Sequence, residues 1–145
     1  MKLEEIQELW EQDAHIDRTE LGEESLRIPQ LHSKYYKIYA AERTTLRKWE
    51  SEYKRLYKDK HEYFNGTLSE QDLRLHEWEP FALRILKTDI PTYMEADKDI
   101  ARAKSMIAAQ EDKVSFVESI IKSLPARGYQ IKAAIDWSKF TSGVG

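Results

Sequence analysis

YMEADKDIARAKSMIAAQEDKVSFVESIIKSL, residues 93–124, decides the fold class. Tyr93, Ala96, Ile100, Ala103, Ile107, Gln110, Val114, Val117, Ile121 and Leu124 follow one another at alternating steps of three and four, which keeps them on one side of an α-helix. This is the seam pattern of a coiled coil. Its one polar member, Gln110, is of the kind that fixes register at some cost in stability. Met106, Phe116 and Ile120 broaden the apolar face beyond what one partner helix covers, so self-association is the economical way to bury it. Pro125 and Gly128 are expected to end this helix, and Ile131, Ala134, Ile135 and Trp137 to mark a short last one.

Working upstream, residues 31–64 carry a second long repeat: Tyr35, Tyr39, Leu46, Trp49, Tyr53, Leu56 and Tyr63, with Glu42 and Lys60 in the two remaining seam positions. Pro29 suits the first turn of this helix, where its missing N–H costs nothing, and Asn65-Gly66 suits its C-cap. A helix of that length, roughly 50 Å, is buried in so short a chain only if another long helix lies along it. Residues 3–12 read as a short amphipathic helix with Leu3, Ile6, Leu9 and Trp10 on one face. Ser69 is a natural N-cap for a helix carrying Leu73 and Leu75 that breaks near Pro80, with Asp72 completing a capping box, and residues 81–90 look helical until Pro91. The expected class is therefore all-α, a long helical hairpin with a heptad-patterned C-terminal helix.

Composition agrees. Of 145 residues 41% are hydrophobic and 34% charged, with five Gly and four Pro, which excludes turn-rich β-sandwiches, collagens and disordered tails. The absence of cysteine removes disulfides, thiolate metal sites and cysteine nucleophiles. No apolar run approaches a membrane span, and the acidic opening MKLEEIQELWEQD is unlike a signal peptide, so an intracellular protein that binds no membrane is expected. His61-Glu62 and His76-Glu77 begin like a zinc-protease motif, but the fifth positions are Asn65 and Pro80. With no phosphate loop and no nucleophile elbow either, neither an enzyme nor a cofactor or metal is expected.

Charge is unevenly spread. Residues 1–30 have three basic and nine acidic side chains, residues 31–65 nine and five, and residues 66–145 eleven and twelve, which sum to the net charge of −3. The basic stretch also holds eight of the sixteen aromatics. Arg43, Arg47, Lys54 and Lys58 are spaced 4, 7 and 4 apart, so they share one outward stripe of the helix, flanked by Lys48 and Arg55. Lys60, at the helix end, is expected to snorkel out of the seam. A row of cations tracks a nucleic-acid backbone, and Tyr57 and Tyr63 beside it can stack on bases. Glu50, Glu52, Asp59 and Glu62 are interleaved, so the composition fits a polyanion-binding face and an ordinary solvated one alike.

Four stretches in their order, KLEEIQELWEQDAHID-x-T at residues 2–19, KDKHEYFNG at 58–66, YMEADKDI at 93–100 and ARGYQIK at 126–132, resemble the recombination mediator family of T-even-type phages, the UvsY proteins. The resemblance implies a non-enzymatic protein of homologous recombination and recombination-dependent replication, working in the host cytoplasm. It implies a ring-shaped homo-oligomer, a heptamer in the best-known case, assembled through C-terminal regions. Such proteins bind single-stranded DNA, weaken its hold by the phage single-stranded-DNA-binding protein and load the phage RecA-type recombinase. The family's DNA-contacting motif reads Lys-Ala-Arg-Leu. Here Lys58 matches it directly and Lys60 in charge, while Asp59 and His61 depart from it.

Together these readings name Lys58, Lys60, Lys54, Arg55, Arg47, Arg43 and Tyr57 as candidate DNA contacts, and Ile100, Ile107, Val114, Val117, Ile121 and Leu124 as the oligomer seam. They divide the chain into an N-terminal helical DNA-binding region (1–66), a connecting segment (67–92) and a C-terminal oligomerisation region (93–145). The competing reading is a helical oligomeric scaffold that uses the basic stripe to bind only protein partners.

Overall fold

A computed structural model describes residues 1–143. Every regular element among them is helical: α1 (Leu3–Ala14), α2 (Leu21–Asn65), α3 (Glu70–His76), a 3₁₀ turn (Lys87–Asp89), α4 (Ile90–Ala96) and α5 (Lys98–Thr141). No helix among the described residues is long and apolar enough to cross a membrane. The chain condenses into two compact units. One joins Met1–Arg43 to the stretch from Glu111 onward, and the other is Thr44–Gln110.

The first unit is a three-helix core. The apolar faces of α1 (Ile6, Leu9, Trp10), α2 (Ile28, Leu31, Tyr35, Ile38) and α5 (Val117, Ile120, Ile121, Leu124) meet, each with helical spacing. Trp10 sets its ring edge-on to Tyr35, with centroids 5.3 Å apart. Two polar latches close this core. Asp13, 7% exposed, accepts from Lys34 Nζ at 2.6 Å, from the Tyr35 hydroxyl at 2.8 Å and from Arg27. Arg127, 5% exposed, pairs with Glu24 at 3.0 Å and donates to the carbonyls of Ala14 (3.0 Å) and His15 (3.2 Å), capping the C-terminal end of α1.

Burial works to raise the Asp13 pKa, but the bonds from Lys34 and Tyr35 and the charges of Lys34 and Arg27 outweigh it and hold the carboxyl below its ordinary 3.8. A depressed carboxyl stabilises the fold above its unfolded pKa, and that contribution is lost as pH falls through the lower folded value. Asp13→Asn is therefore expected to lower the melting temperature near pH 7 and to have progressively less effect as pH falls below the ordinary carboxylate value of 3.8. Melting curves followed by circular dichroism across that range check it. An unchanged difference at every pH would remove the ionised latch.

The second unit holds Ile90, Met94 and Ile100 in a smaller core against Tyr53, Leu56, Phe64 and Ile85. Beside it Tyr63, Phe64, Trp78, Phe81 and Tyr93 form an aromatic cluster with centroid spacings of 5.1 to 5.7 Å. This cluster holds down the irregular stretch that follows α3. Ser69 caps α3 by accepting from the Asp72 N–H at 3.2 Å, and Glu77 ends the helix in a left-handed conformation.

Several local expectations are overruled. Helix α2 begins at Leu21 and carries Pro29 in its interior, and α5 runs through Pro125 and Gly128 to Thr141. Each interior proline costs about 3 kcal/mol of helix. The surroundings outweigh that cost, because Ile28 and Leu31 flank one proline in the core, while Leu124 and the Arg127 latch flank the other. The second long helix does not begin at Tyr93. The Asp97 side chain accepts the Ile100 N–H at 3.0 Å and starts α5, leaving Tyr93 and Ala96 on α4. Residues 81–86 are not helical, and Pro91 sits in the first turn of α4 instead of ending a helix. The heptad seam is filled within the chain itself: Ile100, Val114, Val117 and Leu124 are 1%, 8%, 0% and 2% exposed, and Ile107 and Ile121 are half-buried. Periodicity reveals which face is buried, not which chain buries it.

Candidate nucleic-acid interface

The basic stripe expected from the sequence is exposed. In the second unit Arg47, Lys48, Lys54, Arg55 and Lys58 on α2 all face solvent, and Tyr57 is 46% exposed beside them. The steps of seven and four from Arg47 to Lys54 and Lys58 return to one face, so these three make a row, and Arg47's neighbour Lys48 forms a second row with Arg55. The Lys58 side chain is 75% exposed, and its ion pair to Glu62, at 3.9 Å, is of the weak solvent-exposed i,i+4 kind. Arg43 belongs to the first unit, where it is exposed and its guanidinium donates to the Tyr39 hydroxyl at 3.4 Å.

Lys60 does not snorkel. It is 5% exposed, and its Nζ lies 3.1 Å from Asp97 Oδ1 and 2.9 Å from Asp99 Oδ2, with the Trp78 ring centroid 4.0 Å away. Two residues on from Lys58, it stands about 200° round the helix, on the buried side. Asp97 is correspondingly withdrawn, with its side chain 12% exposed. Asp59, the acid between the two lysines, meets His76 Nε2 at 2.8 Å, and the His76 ring stacks on Trp78 at 4.0 Å. An exposed row of cations, with Asp59 engaged by His76 and Glu62 only weakly paired to Lys58, presents a surface suited to repeated phosphates.

A second surface escaped the sequence reading. Tyr129, Trp137 and Phe140, near the end of α5, are 77%, 66% and 74% exposed, and the last two stack with centroids 5.8 Å apart. Trp137 is expected from the sequence to mark a short last helix, but α5 runs on to Thr141 and so carries all three aromatics on one element. Among the described residues no group of three or more His, Cys, Asp or Glu is arranged to hold a metal ion. The second unit also has a depression of about 320 Å³ lined by Leu56, His76, Trp78, Asp99, Arg102 and Met106. Its histidine and its aspartate are already engaged, by Asp59 and Lys60, and neither is paired with a nucleophile.

Comparison with known proteins identifies a family. A family model described as "Recombination, repair and ssDNA binding protein UvsY" matches residues 9–144. The recombination protein uvsY of Enterobacteria phage T4 is 24% identical over 143 residues, covering 99% of each chain. A crystal structure of the bacteriophage T4 recombination mediator protein UvsY superposes with a TM-score of 0.83 at 25% identity, covering 98% of both chains. A second crystal form of that protein gives 0.81 at 22% identity over 94% of this chain and 98% of the other. The match spans both compact units and the exposed basic helix alike, and this all-helical chain belongs to the UvsY family of recombination, repair and single-stranded-DNA-binding proteins, which are not enzymes.

Proposed function

We propose that the chain is a recombination mediator. It binds single-stranded DNA as a homo-oligomeric ring, a heptamer by its family resemblance. It helps to displace the phage single-stranded-DNA-binding protein, and it loads a RecA-type phage recombinase in the host cytoplasm. The observation that carries the reading is the exposed row Arg47, Lys54 and Lys58 with Tyr57 beside it, on a chain whose net charge is −3. Residues 1–66 supply the strand-binding helix, residues 67–92 connect, and residues 93–145 assemble the ring. Arg55 extends the cationic surface, and Arg43, in the first unit, is a further candidate contact.

The magnitudes explain why assembly matters. A protomer neutralising about two phosphates has a salt slope near −1.4 on single strands, so fourfold more salt weakens it by about 7-fold. Seven such protomers on one strand reach about −10, and the same change releases them by about 10⁶-fold. Avidity turns a feeble site into a firm one. Because Ile100, Val114, Val117 and Leu124 are occupied within the protomer, the ring contact is assigned instead to the exposed aromatic end of α5, while half-buried Ile107 and Ile121 support the helix that presents it.

The test is the mass of the complex with an oligothymidine strand, measured by sedimentation at two salt concentrations. A ring-sized species whose affinity falls steeply with salt is expected, and a monomer with a shallow dependence would defeat the reading. Lys54→Ala together with Lys58→Ala should flatten the slope by about 1.4 for each engaged subunit and leave the melting temperature unchanged, because both side chains are exposed. An unaltered slope would move the strand to another face. Binding of an acidic protein partner with no binding of oligothymidine would favour the scaffold reading.

A further inference from the structure

We infer that Lys60 serves strand binding as a positioning residue, and that Lys58 alone of the motif's two cations touches phosphate. The inference rests on the single-strand reading above and sharpens it at one site. The tetrapeptide Lys58-Asp59-Lys60-His61 carries two lysines around an acid, and the fold sorts them onto different sides of α2. Lys58 points outward with its side chain 75% exposed, whereas that of Lys60 is 6% exposed.

Four contacts keep Lys60 where it is. Its ammonium bridges Asp97 and Asp99 at 3.1 and 2.9 Å, and it sits 4.0 Å from the centroid of Trp78 and 5.4 Å from that of Tyr63. Asp97 holds the first turn of α5 through its other oxygen, which accepts the Ile100 N–H at 3.0 Å. Lys60 thus ties the end of α2 to the start of α5 and to the irregular stretch carrying Trp78. To reach a phosphate it would have to turn to the other side of the helix and leave a largely buried carboxylate, Asp97, uncompensated.

The same clasp disposes of the intervening acid. Trp78, held against Lys60, stacks on His76, and His76 Nε2 meets Asp59 Oδ2 at 2.8 Å. The negative charge between the two lysines is directed toward the 76–78 stretch and away from the row that faces solvent. Lys60 therefore keeps the row cationic by holding Trp78 and His76 in place.

The experiment labels the full-length protein with an amine-acetylating reagent, with and without oligothymidine, and follows each lysine by mass spectrometry. Lys58 is expected to react many-fold faster than Lys60 in the free protein and to be shielded by the strand, while Lys60 stays unreactive in both states. A reactive Lys60 that the strand shields would overturn the assignment without any variant being made. In parallel, Lys58→Met should flatten the salt slope by about 0.7 per engaged subunit at an unchanged melting temperature. Lys60→Met should lower the melting temperature and, because Asp59 is no longer held by His76, also flatten the slope of the folded protein by up to about 0.7 per engaged subunit. A flattened slope at an unchanged melting temperature for Lys60→Met would also overturn it. Failure of the unaltered protein to bind oligothymidine would instead retire the single-strand reading, an outcome distinct from either variant result.

Discussion

Arg127→Ala is expected to destabilise the first unit by about 3–5 kcal/mol, the range seen when one member of a buried ion pair is removed. Arg127 lies in the second half of α5, yet it closes the C-terminal end of α1 through the Ala14 and His15 carbonyls. Helix α1 has no basic residue in its own last turn, so no local side chain replaces the cap. Truncation takes from Glu24, 9% exposed, its 3.0 Å partner, leaves it the longer 3.8 Å contact to Arg27, and frees two carbonyls. Against a typical total stability of about 5–15 kcal/mol the loss is large. Denaturant titration should show it as a lower midpoint, with the N-terminal helix exchanging amide hydrogens first. The double change Arg127→Met with Glu24→Leu should recover part of the loss, since it removes both charges while the carbonyls remain uncapped. If the single and double variants lost the same amount, the ion pair would not be the source.

Trp137→Glu combined with Phe140→Glu carries the second large expectation, and it concerns assembly instead of folding. Both rings are mostly exposed in the protomer, so the melting temperature of the subunit should scarcely move. If the proposed ring forms, sedimentation should show it falling to monomers, and affinity for a long oligothymidine strand should drop by about 10²–10⁴-fold as avidity is lost. An intact ring would move the subunit contact off this end of α5. The contrast is Val117→Asp. A charge at a position 0% exposed within the first core should unfold the protomer before any question of assembly arises.

These two sites mark where sequence reasoning succeeds and where it stops. The seam of α2 is legible down to its polar members. Glu42 and Lys60 fall on the apolar period, and both are buried, at 8% and 5%. The partners of Lys60 are not legible, because Asp97 and Asp99 come to it from a separate turn of the chain, and no periodicity relates residues that far apart. Pro29 and Pro125 show the reverse. Each carries a strong local signal, a start and a stop, and the three-helix core overrides both. The row Arg47, Lys54 and Lys58 was legible because equal spacing on one helix needs nothing but helical geometry. The aromatic end of α5 is not legible, because Pro125 carries a local stop signal that the core overrides.

Sequence alone determined what depends on period and composition: an all-helical chain, two long amphipathic helices, a basic row opposite an apolar seam, and a pattern of short stretches held in common with one family. Tertiary structure decided what depends on who meets whom. It turned the heptad face inward within a single chain, set Arg127 on the end of α1, and placed two lysines of one tetrapeptide in opposite environments. The physical reason is that helical period is a property of neighbouring residues, whereas burial and ion pairing are settled by side chains brought together from distant parts of the chain.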